Sequence, residues 1–387
     1  MAGPTSAEVG RAEKGRHPVS HGLQRQLRPL FQNRRTRKGH GALAELPERS
    51  PFLRGSVSVA GLGSGAGVQT GFLESGPDDP DLPCPRADGI GPVKARSEKT
   101  RTKTLDPAYP FRWEGLEDFA YPKDARGLPL VDYGSKWGQR HNPVTIAQFG
   151  LFHLQRFAHS RDEAALGPVR AAVDWLVENL RPWRGEIGAW IYDVDLDFYG
   201  PTAPWISGMA QGQGISLLLR AYPRVKSERS LECSRQAFRA FLKPVAEGGV
   251  VSSFPDGTLV FEEFPTAPRS LVLNGHLFAL LGIYDFSEFW QDKAARELFS
   301  VAVDGLKRNL SRYDTGFWNL YDLHPTRRLA SPMYVKVHVQ LLNILSELTG
   351  DDFFAAYAGR WQQYLKSPVC RVRWLLGKIA EKIRLRV

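Results

Sequence analysis

The sequence predicts a mainly α-helical fold: an α/α barrel, or toroid, with short β-hairpins, preceded by a disordered N-terminal region. Two observations favour this class. Apolar stripes with helical spacing recur beyond residue 140, and short loops rich in Gly, Pro and Asp separate them. One stretch, LVLNGHLFALLGIY at 271–284, is apolar on all sides, as expected for a helix of an inner ring that neighbours cover on most of its surface.

The overall composition is that of a globular protein. Of the 387 residues, 42% are hydrophobic and 24% are charged, which excludes collagen-like, coiled-coil and wholly disordered chains. No apolar run reaches about 18 residues, and no apolar signal sequence opens the chain. The three cysteines, Cys84, Cys233 and Cys370, include no CxxC pair, so neither a disulfide framework nor a structural zinc site is expected. These features predict a cytoplasmic protein.

The N-terminal region, residues 1–105, is predicted to be disordered or linker-like. It is rich in Gly, Pro, Ser and Arg and has no sustained apolar period. Gly61, Gly63 and Ala66 match the GxGxxG/A spacing of dinucleotide-binding loops, but no convincing strand precedes them and no helical pattern follows. We therefore reject a nucleotide site in this region.

The net charge of +10 belongs to the two ends of the chain. Residues 1–105 carry +7 and residues 366–387 carry +6, which leaves −3 for residues 106–365. Because the middle of the chain has no general positive field, no nucleic-acid partner is expected. The basic ends either attract polyanions or keep the protein soluble.

The first helical signals follow a segment dense in aromatic residues. Ser160 and Glu163 fit a capping box, and Pro168 fits the first turn of a following helix that Arg181-Pro182 terminate. Similar apolar stripes predict helices in six further segments, at 207–221, 229–242, 270–284, 293–310, 333–348 and 352–365.

Two glutamines lie in a glycine-rich helix start. Gln211 and Gln213 belong to GMAQGQG, where Gly208, Gly212 and Gly214 allow close approach of a neighbouring backbone or of a ligand. Each helical glycine costs about 1 kcal/mol relative to alanine, so this cluster needs a reason. A tight helix crossing is the structural explanation, and a ligand contact is the functional one.

Two adjacent acids end a predicted β-hairpin. VVSSF at 250–254 and TLVFEEF at 258–264 flank the turn PDGT. A strand alternates its faces, so one of Glu262 and Glu263 can point into the ring while the other meets solvent. The alternative is an acid pair on the surface.

Polar residues also interrupt later apolar helices. Asn274 and His276 lie within the apolar segment 271–284. Tyr334 and His338 are four residues apart and therefore share one helical face. Each pair either takes part in ligand or proton chemistry or forms hydrogen bonds within the core.

A family resemblance rests on several distinctive strings. The chain resembles the C-terminal domain of the D-glucuronyl C5-epimerases in WISGMAQGQGISLLLRAY (205–222), FEEFPTAPRSLVLNGHLFALLGIYD (261–285), YDTGFWNLYDL (313–323) and the segment 334–340. NPVTIAQFGLFHL (142–154) is similar to the segment leading into that domain, so the resemblance covers about 140–365. It implies an α/α barrel and an enzyme that inverts C5 of glucuronate residues in heparan-type polysaccharide, giving iduronate. A bacterial-type homologue is expected, because residues 106–141 are too few for the β-rich domain that precedes the barrel in the animal enzymes.

The resemblance also implies a reaction without a cofactor or a metal. The C5 proton lies α to a carboxylate and is weakly acidic, so acid–base groups on opposite faces of the sugar can remove it and return it. Hydrogen-bond donors near the carboxylate would stabilise the enediolate. In the family a Glu and a Tyr are the proposed pair, and the matching motifs carry these roles to Glu263 and Tyr334, with Tyr321 as a further catalytic residue.

Asn274 corresponds to the asparagine of the family's VLNG motif and is a candidate substrate contact. The candidate substrate-binding residues are Asn274, His338, Gln211, Gln213 and His324. Two positions depart from the family: Phe264 replaces a tyrosine, and His324 replaces the arginine that follows YDL in the animal enzymes. These departures suggest another uronate polymer, altered efficiency or lost activity.

Two other functions are compatible with the same barrel. One is a non-catalytic protein that binds or assembles acidic glycans. The other is a uronate lyase, which also abstracts the C5 proton but then expels the C4 substituent. In each case an acidic polysaccharide is the expected partner, and the sequence leaves a homodimer open.

The chain is thus predicted to divide into residues 1–105, a barrel domain at 106–370 and a basic tail at 371–387. The tail, RVRWLLGKIAEKIRLRV, mixes apolar residues with six basic residues and one acid. It forms either an amphipathic helix on an anionic membrane, which would make the protein membrane-peripheral, or a helix that packs on the barrel and ends in solvated charge.

Overall fold

The computed structural model describes residues 102–113, 119 and 121–384. Within these residues the protein is mainly helical, which confirms the predicted class. The described α-helices are α1 (Pro143–Ser160), α2 (Leu166–Asn179), α3 (Gly208–Val225), α4 (Glu228–Phe238), α5 (Leu273–Trp290), α6 (Lys293–Asn309), α7 (Pro332–Thr349), α8 (Asp352–Lys366) and α9 (Pro368–Arg384). The predictions for Cys84 and for the glycine-rich segment 61–71 lie outside the described residues.

Side-chain caps explain several helix starts. The side chain of Asn142 accepts a hydrogen bond from the backbone N–H of Thr145 at 3.0 Å, and Ser331 caps α7 in the same way just before Pro332. The predicted capping box at Ser160 is wrong. Ser160 ends α1, and Asp162 instead caps the short 3-10 turn that leads into α2.

The helices form two layers. Helices α1, α3, α5 and α7 pack side by side in an inner row, and α2, α4, α6 and α8 pack behind them as partners. This alternation is what an α/α barrel requires. Among the described residues, α1 and α7 do not pack extensively on each other, so the four helix pairs form an arc and closure of the ring stays a prediction.

The glycine-rich start of α3 makes a tight helix crossing. A Cβ atom on Gly212 would lie 2.8 Å from the Cα of Ala279, and one on Gly282 would lie 2.3 Å from the Cα of Gly212. No such contact distance is sterically allowed, so α3 and α5 can approach this closely only without side chains here. The structural explanation of the glycine cluster is therefore the correct one at Gly212.

The strands form four antiparallel hairpins of two strands each within the described residues. They are β1 (Val131–Asp132), β2 (Gln139–Arg140), β3 (Arg181–Trp183), β4 (Ile187–Ala189), β5 (Ile191–Tyr192), β6 (Trp205–Ile206), β7 (Val251–Ser253) and β8 (Leu259–Phe261). The β7–β8 pair, with Val251 opposite Phe261, confirms the predicted hairpin. Glu262 directly follows β8, and its carbonyl accepts a hydrogen bond at 2.9 Å from Gly208, the first residue of α3.

The N-terminal described segment packs on the inner row. Phe111 contacts Phe278 of α5 with ring centroids 5.0 Å apart. The backbone N–H of Lys103 donates to Phe289 at 2.8 Å, and Leu105 is buried. These last two residues were predicted to be disordered. They belong to the fold instead: the side chain of Lys103 also pairs with Glu288 of α5 at 2.8 Å, and Leu105 is part of the hydrophobic core.

Candidate active site

Two adjacent carboxylates lie buried between β8 and α5. Glu262 is 1% exposed and Glu263 is 4% exposed, so the surface alternative is wrong, and so is the prediction that one of the two meets solvent. Glu262 accepts hydrogen bonds from the Ser270 hydroxyl at 2.6 Å and from the backbone N–H of Leu271 at 2.9 Å. Glu263 accepts from the side-chain amide of Asn274 at 3.4 Å. The two carboxylates therefore have different partners.

Glu263 lies against the first turn of α5. A Cβ atom on Gly275 would lie 2.4 Å from the Cβ of Glu263 and 2.5 Å from its Oε2. The first turn of a helix has backbone N–H groups without helical partners and the positive end of the helix dipole, both of which favour a nearby anion. Glycine at 275 is therefore what lets this carboxylate approach the helix start.

The carboxyl groups of Glu262 and Glu263 differ in their pKa values. Burial, and then the charge of Glu262, raise the pKa of Glu263 to about 8. Burial also raises the pKa of Glu262, but only to about 7, because the bonds from Ser270 and Leu271 favour its charged form. Among the residues that the structure describes, Glu263 has no comparable donors to stabilise its charged form, so its carboxyl group holds a proton more tightly than that of Glu262.

Phenols surround Glu263. Burial is the main cause that raises the pKa of Tyr192, Tyr199 and Tyr321, and the nearby charge of Glu263 contributes in all three cases. A phenol with a raised pKa keeps its proton and serves as a hydrogen-bond donor or an acid. The site thus combines two carboxyl groups whose pKa is raised with several protonated phenols.

Tyr321 packs on Tyr334 and lies near enough to Glu263 for the carboxylate charge to raise its pKa. The rings of Tyr321 and Tyr334 lie edge to face with centroids 4.6 Å apart, and their side chains share a hydrogen bond. The carbonyl of Tyr321 accepts from the backbone N–H of Leu273 at 3.1 Å, which ties this segment to the start of α5. Tyr334 is half-buried at the start of α7 and reaches the surface. The three residues proposed as catalytic therefore lie in one cluster.

His338 lies fully buried beside this tyrosine pair. The centroid of its ring is 6.4 Å from that of Tyr321 and 6.4 Å from that of Tyr334. The second distance agrees with the prediction that Tyr334 and His338 share one face of α7. Its Nδ1 lies 2.6 Å from the amide nitrogen of Asn319, and burial lowers its pKa to about 3. His338 is therefore a neutral imidazole in the core behind the tyrosines.

The two glutamines of α3 have different environments. Both amide atoms of Gln211 form hydrogen bonds to backbone groups. The oxygen accepts from the N–H of Trp190, and the nitrogen donates to the carbonyls of Gly188 and Ala237. It holds β4 and α4 to α3, so we do not retain it as a substrate contact. Gln213 is buried, and neither of its amide atoms has a hydrogen-bond partner within the described part of the chain.

The sequence did not reveal a second polar group at the edge of the site. The Tyr199 hydroxyl donates to the carboxylate of Asp322, and an Arg328 nitrogen lies 3.3 Å from the same carboxylate. The guanidinium of Arg328 also lies 4.6 Å from the centre of the Tyr199 ring. No spacing distinguishes Tyr199 in the sequence, and the only signal for Arg328 is its place shortly after the YDL motif.

His324 lies at the outer edge of this group. Its ring centroid is 5.3 Å from that of Tyr199, and its Nδ1 is 2.8 Å from the Thr326 hydroxyl. Burial, with a smaller contribution from Arg328, lowers the pKa of His324 to about 4. His324 is therefore neutral near pH 7 and does not replace the charge of the family's arginine.

A groove opens beside the site. It has a volume of about 290 Å³, and its lining includes Trp183, Arg184, Tyr199 and Trp205. Trp205 is 5.7 Å from Phe264 between ring centroids. Aromatic faces and one arginine are suited to the rings and carboxylates of an acidic sugar chain. In the described part of the chain, no group of three or more His, Cys, Asp or Glu residues is arranged to hold a metal ion.

Fold and site define a helical domain in which phenols surround a buried acid. Residues 184–363 match the family model described as the D-glucuronyl C5-epimerase C-terminus. The D-glucuronyl C5-epimerase of Caenorhabditis elegans is 34% identical over 215 residues, which are 50% of this chain and 34% of that protein. An uncharacterised protein of Methanocaldococcus jannaschii is 27% identical over 177 residues, 45% of this chain and 57% of the relative. The chain thus spans about a third to just over half of these relatives.

Proposed function

We propose that the protein epimerises C5 of glucuronate residues in a heparosan- or heparan-like polysaccharide, giving iduronate, without a cofactor. The observation that carries the proposal is the cluster of Glu263, Tyr321 and Tyr334: the ring of Tyr321 packs on that of Tyr334, and the charge of Glu263 acts on Tyr321. It combines a carboxyl group whose pKa is raised to about 8 with the phenol of Tyr321, whose pKa burial raises so that it stays protonated. General acid–base catalysis is most effective when the pKa of the base lies near the working pH.

In the proposed mechanism, the ionised Glu263 removes the C5 proton. The electron pair of the C–H bond moves into the adjacent carboxyl group and forms an enediolate. The Tyr334 phenol then gives a proton to C5 from the opposite face. Tyr334 is half-buried, so its phenolate regains a proton from water or from Tyr321, while Glu263 releases the proton that it took. Protons and charge balance over one turnover.

Tyr199 supports this assignment at the position of the family departure. Its ring centroid lies 5.2 Å from that of Phe264, which replaces the tyrosine of the family. A phenol from another part of the chain thus lies beside the position where one was lost. In the proposed site the Tyr199 hydroxyl exchanges its hydrogen bond to Asp322 for one to the substrate or its enediolate, while Asn274 holds Glu263.

The decisive test is incubation of the protein with a glucuronate polymer in D₂O, followed by NMR. We expect deuterium at C5 together with new iduronate signals. An unsaturated product would identify a lyase instead, and binding of the polymer without exchange would identify a glycan-binding protein; either result contradicts the proposal.

Variants assign the roles. Glu263→Gln and Tyr334→Phe should each abolish exchange, because each removes one proton-transferring group. Glu178→Gln, on an exposed surface ion pair, and Tyr364→Phe, which loses a bond to Asp314 on the outer layer, are the matched controls and should retain exchange. Exchange at the wild-type rate in both site variants would overturn the residue assignment.

A further inference from the structure

Helix α9 is anchored to the fold along one face only. The indole nitrogen of Trp374 donates to the carbonyl of Ala330 at 3.0 Å. About two turns further along, the carboxylate of Glu381 accepts from the backbone N–H of Leu329 at 3.1 Å. Between them, Gly377 lies so close that a Cβ atom would be 2.6 Å from the Leu329 side chain. These contacts fix which side of α9 faces away from the domain.

The face turned away from the domain is apolar. Leu242 aside, every exposed large hydrophobic side chain in the described part of the chain lies on α9, with exposed fractions between 49% and 68%. At roughly 100° per residue these side chains form one stripe opposite the anchored face. The stripe consists of Val369, Val372, Leu375, Leu376, Ile379 and Ile383. A contiguous apolar surface of this kind marks an interaction site.

Basic residues border the apolar stripe on both sides. The same helical geometry places Arg371, Lys378 and Lys382 along one edge and Arg373 and Arg384 along the other. Several also hold the helix in place: Arg371 donates to the Leu365 carbonyl at 2.6 Å, for example. The one acid of the helix lies on the anchored face and is paired with Lys378 at 2.8 Å, so no negative charge faces outward.

We propose that α9 docks the protein on an anionic lipid surface, with the apolar stripe inserted at the level of the headgroups. An interfacial helix of this type combines a buried apolar face with cations that contact anionic lipids. A second copy of the chain fits less well, because pairing two stripes would bring their basic borders together without an opposing acid. A nucleic acid would use the cations and leave the aliphatic side chains in water.

Vesicle co-sedimentation of the full chain tests the proposal. The protein should pellet with vesicles of phosphatidylcholine and phosphatidylserine, much less with phosphatidylcholine alone, and less as salt is added. Leu376→Ser/Ile379→Ser should weaken binding more than about tenfold, because both side chains would leave the lipid. Leu242→Ser is the matched control, since it removes an exposed leucine outside α9.

The other outcomes contradict the proposal. Unchanged pelleting of the double variant would show that the stripe does not bind lipid. Equal pelleting with and without phosphatidylserine would show that the basic borders do not contribute to binding. If the wild type does not bind vesicles but forms a dimer that dissociates in the double variant, the partner is a second copy of the chain. If the wild type does not bind vesicles but binds a nucleic acid, and Lys382→Glu abolishes that binding, the partner is a nucleic acid. Circular dichroism checks that each variant is folded.

Discussion

The carboxylate of Glu263 lies against Gly275 so closely that a methyl group at 275 would lie 2.5 Å from the Oε2 atom. The start of α5 is thereby the surface against which the proposed base is held. The carboxylate position and the glycine depend on each other, although twelve positions separate them in the chain.

Gly275→Ala should therefore destabilise the protein. The added methyl group overpacks the site, and we expect the free energy of unfolding in urea to fall by about 1–3 kcal/mol. Gly359→Ala is the matched control: Gly359 lies inside α8 with no heavy atom within 4 Å of an added Cβ. It should gain about 0.5–1 kcal/mol from helix propensity. Equal effects of the two substitutions would contradict the close contact.

The raised pKa of Glu263 predicts a pH-dependent effect of Glu263→Gln. A carboxyl group whose pKa rises on folding stabilises the folded state fully below its unfolded pKa, near 4.5, and this contribution is lost as pH rises through the folded value of about 8. Glutamine stays neutral throughout. The stability of the variant relative to wild type should therefore increase by roughly 2–4 kcal/mol between about pH 5 and about pH 8, measured by urea unfolding.

Glu288→Gln provides the control of opposite sign. The hydrogen bond from Lys103 lowers the pKa of Glu288, so its contribution is present above its unfolded pKa and is lost as pH falls. The cost of this substitution should shrink toward acidic pH. A Glu263→Gln difference that stays flat with pH would contradict the buried, protonated state of Glu263.

Tyr199→Phe should slow C5 exchange while the protein stays folded. It removes the phenol beside Phe264, and we expect a loss on the order of 10²-fold in exchange rate, as for other proton-transfer or donor groups. Tyr222→Phe is the matched control, because Tyr222 also donates to a carboxylate, Glu228, but on the exposed surface. Adding Phe264→Tyr to Tyr199→Phe should restore part of the rate. An unchanged rate in Tyr199→Phe would remove this residue from the proposed site.

Arg220→Ala should strongly destabilise the inner row. Arg220 of α3 makes a bidentate pair with Asp285 of α5, with both bonds at 2.7 Å, and it also donates to the carbonyls of Asp106 and Ala108. Removal leaves a buried, unpaired carboxylate, so we expect a loss of about 3–5 kcal/mol in urea unfolding.

Arg126→Ala is the control for this prediction. Arg126 pairs with Glu178 at 2.9 Å on the exposed surface, where such pairs contribute at most about 1 kcal/mol. In addition, Arg220→Met/Asp285→Leu should recover most of the loss, because it removes both charges together. Similar small losses for Arg220→Ala and Arg126→Ala would show that the buried pair is not needed.

The sequence by itself determined the elements and several members of the site. Apolar periodicity predicted helices that agree with α3 to α8, because 3.6-residue spacing is a local property of the chain. The turn PDGT predicted the hairpin of β7 and β8. The family strings contained Glu263, Tyr321 and Tyr334, which the fold brings into one cluster.

Only the tertiary structure decided which polar residues face one another and how they ionise. Tyr199 and Arg328 join the site from separate loops, which no local pattern encodes. The raised pKa of Glu263 follows from burial by distant segments, and Gln211 is occupied by backbone groups of β4 and α4. The sequence also left open whether the C-terminal tail lies on a membrane or packs on the barrel. Hydrogen bonds to Leu329 and Ala330 show that one face of α9 packs on the domain, while its apolar stripe is exposed. Spacing along a chain fixes neighbours on one helix, whereas desolvation and pairing depend on groups that only packing brings together.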